Sequence, residues 1–157
     1  MAKEIQLSRG KVAIVDDEVY ESLARHKWHC DSIGYAARKV WKGFKCETVR
    51  MHRALVDAPD GMVVDHINGN KLDNRRSNLR VCTRAQNLMN RGKQRNNTSG
   101  FKGVSYHKQC SKWMAFIKLN KRFINLGLFD TPEAAALAYN EAAKKYHGEF
   151  AKLNEVH

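Results

Sequence analysis

Short apolar runs alternate with polar turns through the first third of the chain, and this pattern predicts strands rather than long helices. Val12–Val15 has the pattern of a buried strand, and Tyr35–Val40 and Thr48–His52 predict two more. Between the first two, Asp17–Lys27 carries apolar residues at the spacing of a short amphipathic helix. The N-terminal part is therefore predicted to be rich in β-structure.

The middle of the chain predicts the order strand, loop, strand, helix. Met62–Ile67 predicts a strand that ends in an Asn-Gly turn, and Asn-Gly is a strong turn signal. Asn78–Cys82 predicts a second short strand. Thr83–Gln86 then matches a capping box, in which the Thr and Gln side chains each cap the other residue's amide. We therefore expect a helix to begin there.

The C-terminal third predicts three strands followed by one helix, after the polar segment Arg91–Ser99. The strand patterns are Phe101–His107, Lys112–Asn120 and Lys121–Phe129. A Thr-Pro-Glu start and a terminal Gly bound an Ala-rich helix over 131–148. This order predicts an α+β unit.

Alternation along the second of these strands divides the sheet into two faces. Trp113, Ala115, Ile117 and Leu119 point one way and suit a face that the helix covers. Small helix contacts are expected from Ala134, Ala135, Ala138 and Ala142, with Leu137 and Tyr146 at the edges. The opposite face of the sheet is expected to be free.

The charge of the chain points to a polyanionic partner. Its 157 residues include 28 Lys or Arg against 16 Asp or Glu, for a formal net charge of +12. The segment from Lys71 to Arg95 holds eight of the basic residues and only one acid, Asp73. No apolar run has the length of a membrane span, and the N-terminus lacks the pattern of a signal peptide. We therefore expect a protein of the cytoplasm.

The cysteines do not indicate a metal site. Cys30, Cys46, Cys82 and Cys110 form no CxxC pair and no compact Cys/His cluster. They are interpreted as reduced, mostly buried thiols, and a structural zinc ion stays an open alternative.

Four polar residues of the middle segment suit phosphodiester hydrolysis. A neutral His66 can accept a water proton, and Asp65 and an amide oxygen such as that of Asn87 are hard ligands for Mg²⁺. The remaining Asn78 can fix the tautomer of the histidine. Because neighbouring strand residues point to opposite sides, a twist or bulge is expected to bring Asp65 and His66 to one site.

The segment Val64–Arg91, VDHINGNKLDNRRSNLRVCTRAQNLMNR, resembles the motif of the HNH nucleases, the ββα-metal family. The resemblance implies that His66 is the general base, that Asn78 orients it, and that Asp65 and Asn87 bind Mg²⁺ or Mn²⁺. The third motif position is Asn87 rather than His, a variant seen among homing-type members. Residues 5–55 also resemble the region that precedes the motif in phage and bacterial members.

Further residues were assigned around this motif. Arg80, Arg84 and Arg91 are expected to meet phosphates that flank the scissile bond, with a solvated helix face as the alternative, and Lys93 is also expected to contact DNA. His52 has two interpretations, a residue of the site or a packed strand histidine.

The segment Gly100–Asn154 resembles the ethylene-response-factor-type (APETALA-two-like) DNA-binding domain of plants, which also occurs fused to HNH nucleases. Lys112-Trp113, Leu126-Gly127, Phe129-Asp130-Thr131, Ala138-Tyr139 and Leu153-Asn154 carry the likeness. It implies DNA contacts by Lys102, Ser105, His107, Phe116, Lys118, Phe123 and Asn125. Independently of the resemblance, the charges of Lys102, Lys112, Lys118, Lys121 and Arg122 predict a looser affinity for DNA. Several of these positions are Arg or Trp in plants, so the plant target sequence does not transfer.

The sequence as a whole predicts a metal-dependent homing-type endonuclease that acts on double-stranded DNA, with an α+β fold. Its predicted parts are a ββα-metal nuclease domain with a β-rich N-terminal part (1–91, core motif 60–91), a basic linker (92–99), and a three-stranded antiparallel sheet with one helix (100–157). One motif per chain favours nicking by a monomer, although a dimer would permit a double-strand break.

No obligatory protein partner or membrane contact is evident, and a phage-encoded chain would act in the host cytoplasm. The alternatives are a DNA-binding regulator with an inactive nuclease fold and an RNA-binding protein, although RRM and KH signatures are absent.

Overall fold

The computed structural model describes residues 1–157 as two compact units, Met1–Arg84 and Ala85–His157. Each unit mixes short helices with small antiparallel sheets, so the predicted α+β class is confirmed. The predicted division, with a linker over 92–99, stays a prediction. None of the helices is both long enough and apolar enough to cross a membrane.

The N-terminal part of the first unit is built on two small sheets. Its elements are β1 (Ala2–Gln6), β2 (Val12–Asp16), α1 (Asp17–Ala24), β3 (His29–Cys30), β4 (Ala36–Lys42), β5 (Lys45–Arg50) and α2 (Met51–Leu55). Strands β1 and β2 pair antiparallel, and β4 lies between β3 and β5 in the second sheet. The predicted strand over Thr48–His52 is wrong at its end, because Met51 and His52 begin α2.

Apolar residues of both sheets and both helices form the core of this part. Val15 and Met51 are fully buried, and Leu23 of α1 packs with them as its helical spacing predicts. Trp28 lies in the same core, and its indole N–H donates to the Leu23 carbonyl at 2.8 Å. The donated bond satisfies the one polar atom that burial of this ring would otherwise leave unpaired.

A second hairpin follows, made of β6 (Val63–His66) and β7 (Leu79–Cys82). The long loop between its strands is tied back onto β2. Ile14 forms a parallel bridge with Asp73, and its carbonyl accepts the Asn74 amide at 2.7 Å. A loop between two four-residue strands is thereby held in place by a strand about sixty residues earlier in the chain.

The second unit holds the predicted sheet and helix. After α3 (Arg84–Met89) come β8 (Val104–His107), β9 (Lys112–Leu119), β10 (Arg122–Phe129) and α4 (Pro132–His147). The sheet is antiparallel with β9 in the centre. The Thr131 hydroxyl accepts the Ala134 amide at the start of α4, and Gly148 ends the helix with positive φ, as the sequence predicts.

Helix α4 covers one face of this sheet. Ala115 and Ile117 of β9 are buried against alanines of the helix and against Tyr139. Leu137 and Tyr146, expected to fill the edges, are instead 54% and 38% exposed, and the buried Tyr139 fills the space. Alanine side chains let helix and sheet approach closely, and the rings of Phe101, Trp113 and Phe129 pack around this contact.

Candidate active site and nucleic-acid interface

Buried polar side chains gather at the β6–β7 hairpin. Six of the nine buried polar residues of the chain lie in this hairpin, its loop and α2: His52, Asp65, His66, Asp73, Asn74 and Asn78. Burial of so many polar groups is costly unless each has a partner, and most of these groups have one. Such concentration in one place is typical of a functional site rather than of a core.

His66 is the last residue of β6, and its ring is held from several sides. Its Nε2 lies 3.4 Å from Asn74 Oδ1, and the Tyr35 and His52 rings lie 5.8 and 5.1 Å from it, centroid to centroid. Burial lowers the pKa of His66, while the Asn74 contact and the charge of Asp65 act in the opposite direction. The ring is therefore neutral near pH 7.

The Asn74 contact selects one tautomer of that neutral ring. An amide oxygen only accepts, so a hydrogen bond at this position needs the proton on Nε2. The lone pair then lies on Nδ1, which is the basic nitrogen of the ring. A histidine in this state can accept a proton from water without first losing one.

Asp65 is paired with Arg80, which lies directly opposite it on β7. Two guanidinium nitrogens donate to Asp65 Oδ2, at 3.0 and 2.8 Å, and both side chains are largely buried. The side chain of Arg80, expected at a flanking phosphate, is therefore engaged inside the hairpin. The β6–β7 pairing shows no register shift from Val63 to His66, so of the twist or bulge expected at Asp65 and His66 the bulge is not present.

Asn78 fixes the loop of the hairpin. Its Oδ1 accepts the Asn68 amide at 3.0 Å, and its Nδ2 donates to Asn68 Oδ1 and to the Asp73 carbonyl. The partner expected of Asn78, the His66 ring, is contacted by Asn74 instead. Asn78 thus supports the loop from which Asn74 reaches His66.

Asn74 and Tyr35 are residues of this site that the sequence did not assign, and His52 was left with two interpretations. Asn74 is 1% exposed and carried no signal, because a polar loop residue is ordinarily solvated. His52 packs against Tyr35 at 4.9 Å and against His66, so of its two interpretations the structure supports a residue of the site. Burial and the neighbouring His66 lower the pKa of His52 to about 3, and its buried Nδ1 makes no hydrogen bond.

The basic residues expected at DNA differ in exposure and in hydrogen bonding. Arg84 and Arg91 are exposed, and the Lys93 amine donates to the Gly100 carbonyl at 3.0 Å. Asn87, the expected second metal ligand, lies on α3.

Strand pairing brings nine residues of the C-terminal sheet onto the face that α4 leaves uncovered, here called the open sheet face. They are Ser105, His107, Lys112, Met114, Phe116, Lys118, Phe123, Asn125 and Leu128. Most of the sheet residues implied by the resemblance are in this set. Arg122 pairs with Leu119 and so lies on the other face, and the amine of Lys102 is held by the Met89 carbonyl. Burial lowers the pKa of Lys102 to about 8.

The carboxylate of Asp65 in the hairpin and the amide oxygen of Asn87 on α3 are each of the kind that a hard divalent cation prefers. No group of three or more His, Cys, Asp and Glu side chains is arranged so that it could hold a metal ion. Mg²⁺ keeps several of its waters, so it needs few protein ligands. All four cysteines are free thiols; Cys30 and Cys82 are buried, whereas Cys46 and Cys110 are exposed.

Two protein-family models match this chain. The HNH endonuclease model matches residues 57–89, which include β6, β7 and α3. The AP2 domain model matches residues 99–149, which include the C-terminal sheet and α4. Both resemblances stated from the sequence are thereby confirmed.

Relatives match the chain over most of its length or over its C-terminal part. An HNH endonuclease of Acanthamoeba polyphaga mimivirus is 30% identical over 96% of this chain and 79% of its own. Protein 3.8 of Escherichia phage T7 is 33% identical over 74% of this chain and 98% of its own. An APETALA2-like protein of Oryza sativa is 46% identical over 36% of this chain and 13% of its own.

One solved structure, that of the HNH homing endonuclease I-HmuI, matches 41% of this chain and 40% of its own at 36% identity, with a TM-score of 0.37. HNH nucleases generally use divalent metal ions. The two matched models and the extent of the mimiviral match lead to one conclusion: the chain belongs to the HNH endonuclease family and carries an AP2 domain at its C-terminal end.

Proposed function

We propose that this protein is a homing-type endonuclease that uses a divalent metal ion to nick double-stranded DNA. The observation that carries the proposal is the buried, neutral His66, held by Asn74 with its basic nitrogen defined. A base in this state at neutral pH is what removal of a proton from water requires. The membership of the HNH family supplies the reaction class.

Each residue of the hairpin has a defined role in this proposal. His66 Nδ1 accepts the proton of the attacking water, and Asn74 holds the ring so that Nδ1 keeps its lone pair. Asn78 acts on His66 only through Asn74, because it fixes the loop that carries Asn74. Asn74 and Asn78 are therefore positioning residues.

Asp65 and Asn87 are the proposed ligands of the metal ion, Mg²⁺ or Mn²⁺. Their oxygens are the hard donors that these ions prefer, and the family resemblance assigns both. When bound, a divalent ion offsets the charge that develops on the phosphate and on the departing 3′ oxygen. Arg80 already neutralises Asp65 in this structure, so the ion has to compete with an existing ion pair.

The C-terminal unit is proposed to hold the enzyme on its target. The open sheet face and the exposed Arg84 and Arg91 are the contacts assigned to DNA, with Lys93 beside them. One His66 per chain serves one strand, so a monomer is proposed to nick and to need no protein partner. The viral and phage relatives support action in the cytoplasm of an infected cell.

The Asp65–Arg80 ion pair favours a second function. If it is never displaced, the hairpin binds no metal, and the protein is a DNA-binding regulator with an inactive nuclease fold. This alternative shares the fold, the charge and the AP2 domain with the enzyme, and it differs only in the absence of cleavage.

Cleavage of supercoiled plasmid with Mg²⁺ separates the two functions. The plasmid carries flanking DNA from the source genome, since the target sequence is not known. We expect open circles from the wild type, none with EDTA, and a rate about 10²- to 10⁴-fold lower for His66→Ala. His26→Ala, at an exposed histidine outside the hairpin, is the matched control and should cleave as the wild type does.

Other products decide between the remaining alternatives. Linear product would mean that both strands are cut and that two sites act together. Tight, salt-sensitive DNA binding without cleavage would support the inactive regulator. Full activity of His66→Ala would contradict the assignment of the base. Preferential competition by duplex RNA over duplex DNA would support RNA binding instead.

A further inference from the structure

The open sheet face carries an apolar hollow that no part of its own unit covers. Its lining is made of Met114, Phe116 and Phe123, with Ser105 and Asn125 beside them. Phe123 is 67% exposed, although burial of an aromatic ring is normally strongly favourable. An apolar patch that stays exposed beside polar residues is typical of a binding surface.

The two rings of the hollow have a fixed arrangement. Phe116 and Phe123 lie edge to face, with centroids 5.7 Å apart, and the Lys118 ammonium lies 5.2 Å from the centre of the Phe123 ring. Edge-to-face packing and the cation stabilise this arrangement before any ligand binds. The hollow is therefore a preformed feature rather than a gap between mobile side chains.

The charges around the hollow select a polyanion as its occupant. The sheet segment 104–129 contains five basic residues and no acidic one. The match to the AP2 domain covers the same strands. Duplex DNA combines the negative charge that the lysines attract with apolar groups on its base edges.

The side chains of the open sheet face are not those that ordinarily recognise guanine. Arginine is the commonest guanine contact, and this face has none, since Arg122 lies on the other side. Lys112 is paired with Asp130 at 3.0 Å, and the Lys118 ammonium lies over Phe123. Both lysines therefore already have partners at the rim of the sheet. From there they can contact phosphates, and such contacts do not depend on the identity of the base.

Asn125 offers a donor to the hollow rather than an acceptor. Its Oδ1 already accepts the Gly127 amide at 2.9 Å, at the bulge of β10, which leaves Nδ2 as its free polar group. Thymine presents an acceptor, O4, next to its C5-methyl group in the major groove. An amide donor beside an aromatic hollow is complementary to that pair of groups.

We infer that the C-terminal sheet recognises thymine C5-methyl groups in the major groove, with Phe116 and Phe123 as the methyl-binding residues. This inference rests on the proposed function, because it assumes that the open sheet face meets DNA. It predicts a preference for target sites rich in A·T pairs, unlike a face that reads guanine through arginine.

The test compares duplexes that differ only in the pyrimidine C5-methyl group. Full-length His66→Ala protein is titrated in Mg²⁺ against alternating A·T duplexes that contain either thymine or deoxyuridine, so that every register offers or lacks the methyl. We expect the thymine duplex to bind more tightly, by about fourfold for each methyl contacted, the factor that corresponds to burial of one methyl group. A G·C duplex should gain affinity when its cytosines carry a C5-methyl.

A second variant assigns the effect to the hollow. Phe123→Ala in the same protein should bind the thymine and deoxyuridine duplexes equally, and it should fold because Phe123 is mostly exposed. Phe44→Ala is the matched control, since Phe44 is a fully exposed phenylalanine of the β4–β5 turn in the first unit. It should keep the full preference.

Three results would overturn the inference while leaving the proposed function intact. The first is equal affinity of the parent protein for thymine and deoxyuridine duplexes. The second is a preference for the thymine duplex that survives Phe123→Ala. The third is tighter binding of unmethylated G·C duplexes than of C5-methylated ones. Absence of binding to every duplex would contradict the DNA-binding role itself, and with it the inference.

Discussion

The hairpin of the first unit and the sheet of the second place their functional side chains in opposite settings. Around β6 and β7, polar groups such as Asp65, His66 and Asn74 are buried and partnered. On the open sheet face, apolar rings such as Phe123 are exposed and have no cover within their unit. Polar residues are usually exposed and apolar residues usually buried, so the first region is unusual in burying polar groups and the second in exposing apolar ones.

The difference follows from what each region is proposed to do. A general base has to keep one tautomer and one orientation, and burial among hydrogen-bond partners provides both. A surface that reads DNA has to leave its contact groups accessible until the DNA arrives. The first region should therefore be sensitive to loss of a single hydrogen bond, and the second to loss of exposed apolar area.

The largest expected effect breaks the second region alone. Gly103 has a φ of +74°, and an added Cβ would collide with the Tyr139 ring and the Phe116 carbonyl. Gly103→Ala should lower the free energy of unfolding of the second unit by about 3 kcal/mol or more, measured by urea denaturation. Gly100→Ala, at positive φ but with open space around it, should cost clearly less. Equal losses for the two variants would mean that the contact with Tyr139 is unimportant.

The next effect tests the positioning of the base. Asn74→Ala removes the acceptor at His66 Nε2 and should lower the cleavage rate by about 10- to 100-fold. Asn74→Asp keeps an acceptor oxygen and should recover part of the rate, with a shifted pH profile because the added charge favours protonation of His66. The same rate and the same pH profile for both variants would indicate a purely structural role.

The third effect is a dependence of stability on pH that arises from His52. Its pKa of about 3 in the folded protein lies below the ordinary value of 6.5, so the unfolded chain binds the proton first. The contribution of this group is complete above pH 6.5 and is lost as the pH falls towards 3. At pH 5 it should lower the free energy of unfolding by about 2 kcal/mol.

His52→Phe is the control for this prediction, because it keeps an aromatic ring and removes the titrating group. Urea denaturation at several pH values should show a flatter acid limb for the variant than for the wild type. Parallel curves would show that His52 does not titrate in this range.

The smallest effect concerns a phosphate contact on the open sheet face. Lys118→Gln removes one charge and should weaken DNA binding modestly and by a similar factor on every sequence. The slope of log affinity against log salt should decrease by about 0.9, the value for one phosphate. A change in sequence preference without a change in slope would place Lys118 at a base instead.

The local elements of both regions were predictable because each has a local cause. Alternation predicted β9, and a Thr-Pro-Glu start with a terminal Gly predicted α4 to within a residue. The hydrophobic pattern also predicted the hairpin strands β6 and β7. Periodicity and capping act over a few residues, so a single sequence contains them.

The parts that could not be predicted depend on contacts that are distant in sequence. Asn74 reaches His66 because its loop is bonded to Ile14 of β2, and no local pattern records that contact. His52 was placed in a strand because its neighbours alternate, yet the chain turns into α2 at Met51. The metal, the nicking of one strand and the residues that contact DNA stay predictions.

The central claim is that the hairpin of the first unit supplies the base for cleavage and that the sheet of the second unit holds the target, and one pair of variants tests it. Binding and single-turnover cleavage of the same DNA are measured for His66→Ala and Phe123→Ala. His66→Ala should bind as the wild type does and fail to cleave, whereas Phe123→Ala should bind more weakly and yet cleave at the wild-type rate once the DNA is saturated. Wild-type binding with lost cleavage in Phe123→Ala, or weakened binding with full cleavage in His66→Ala, would contradict the division of roles.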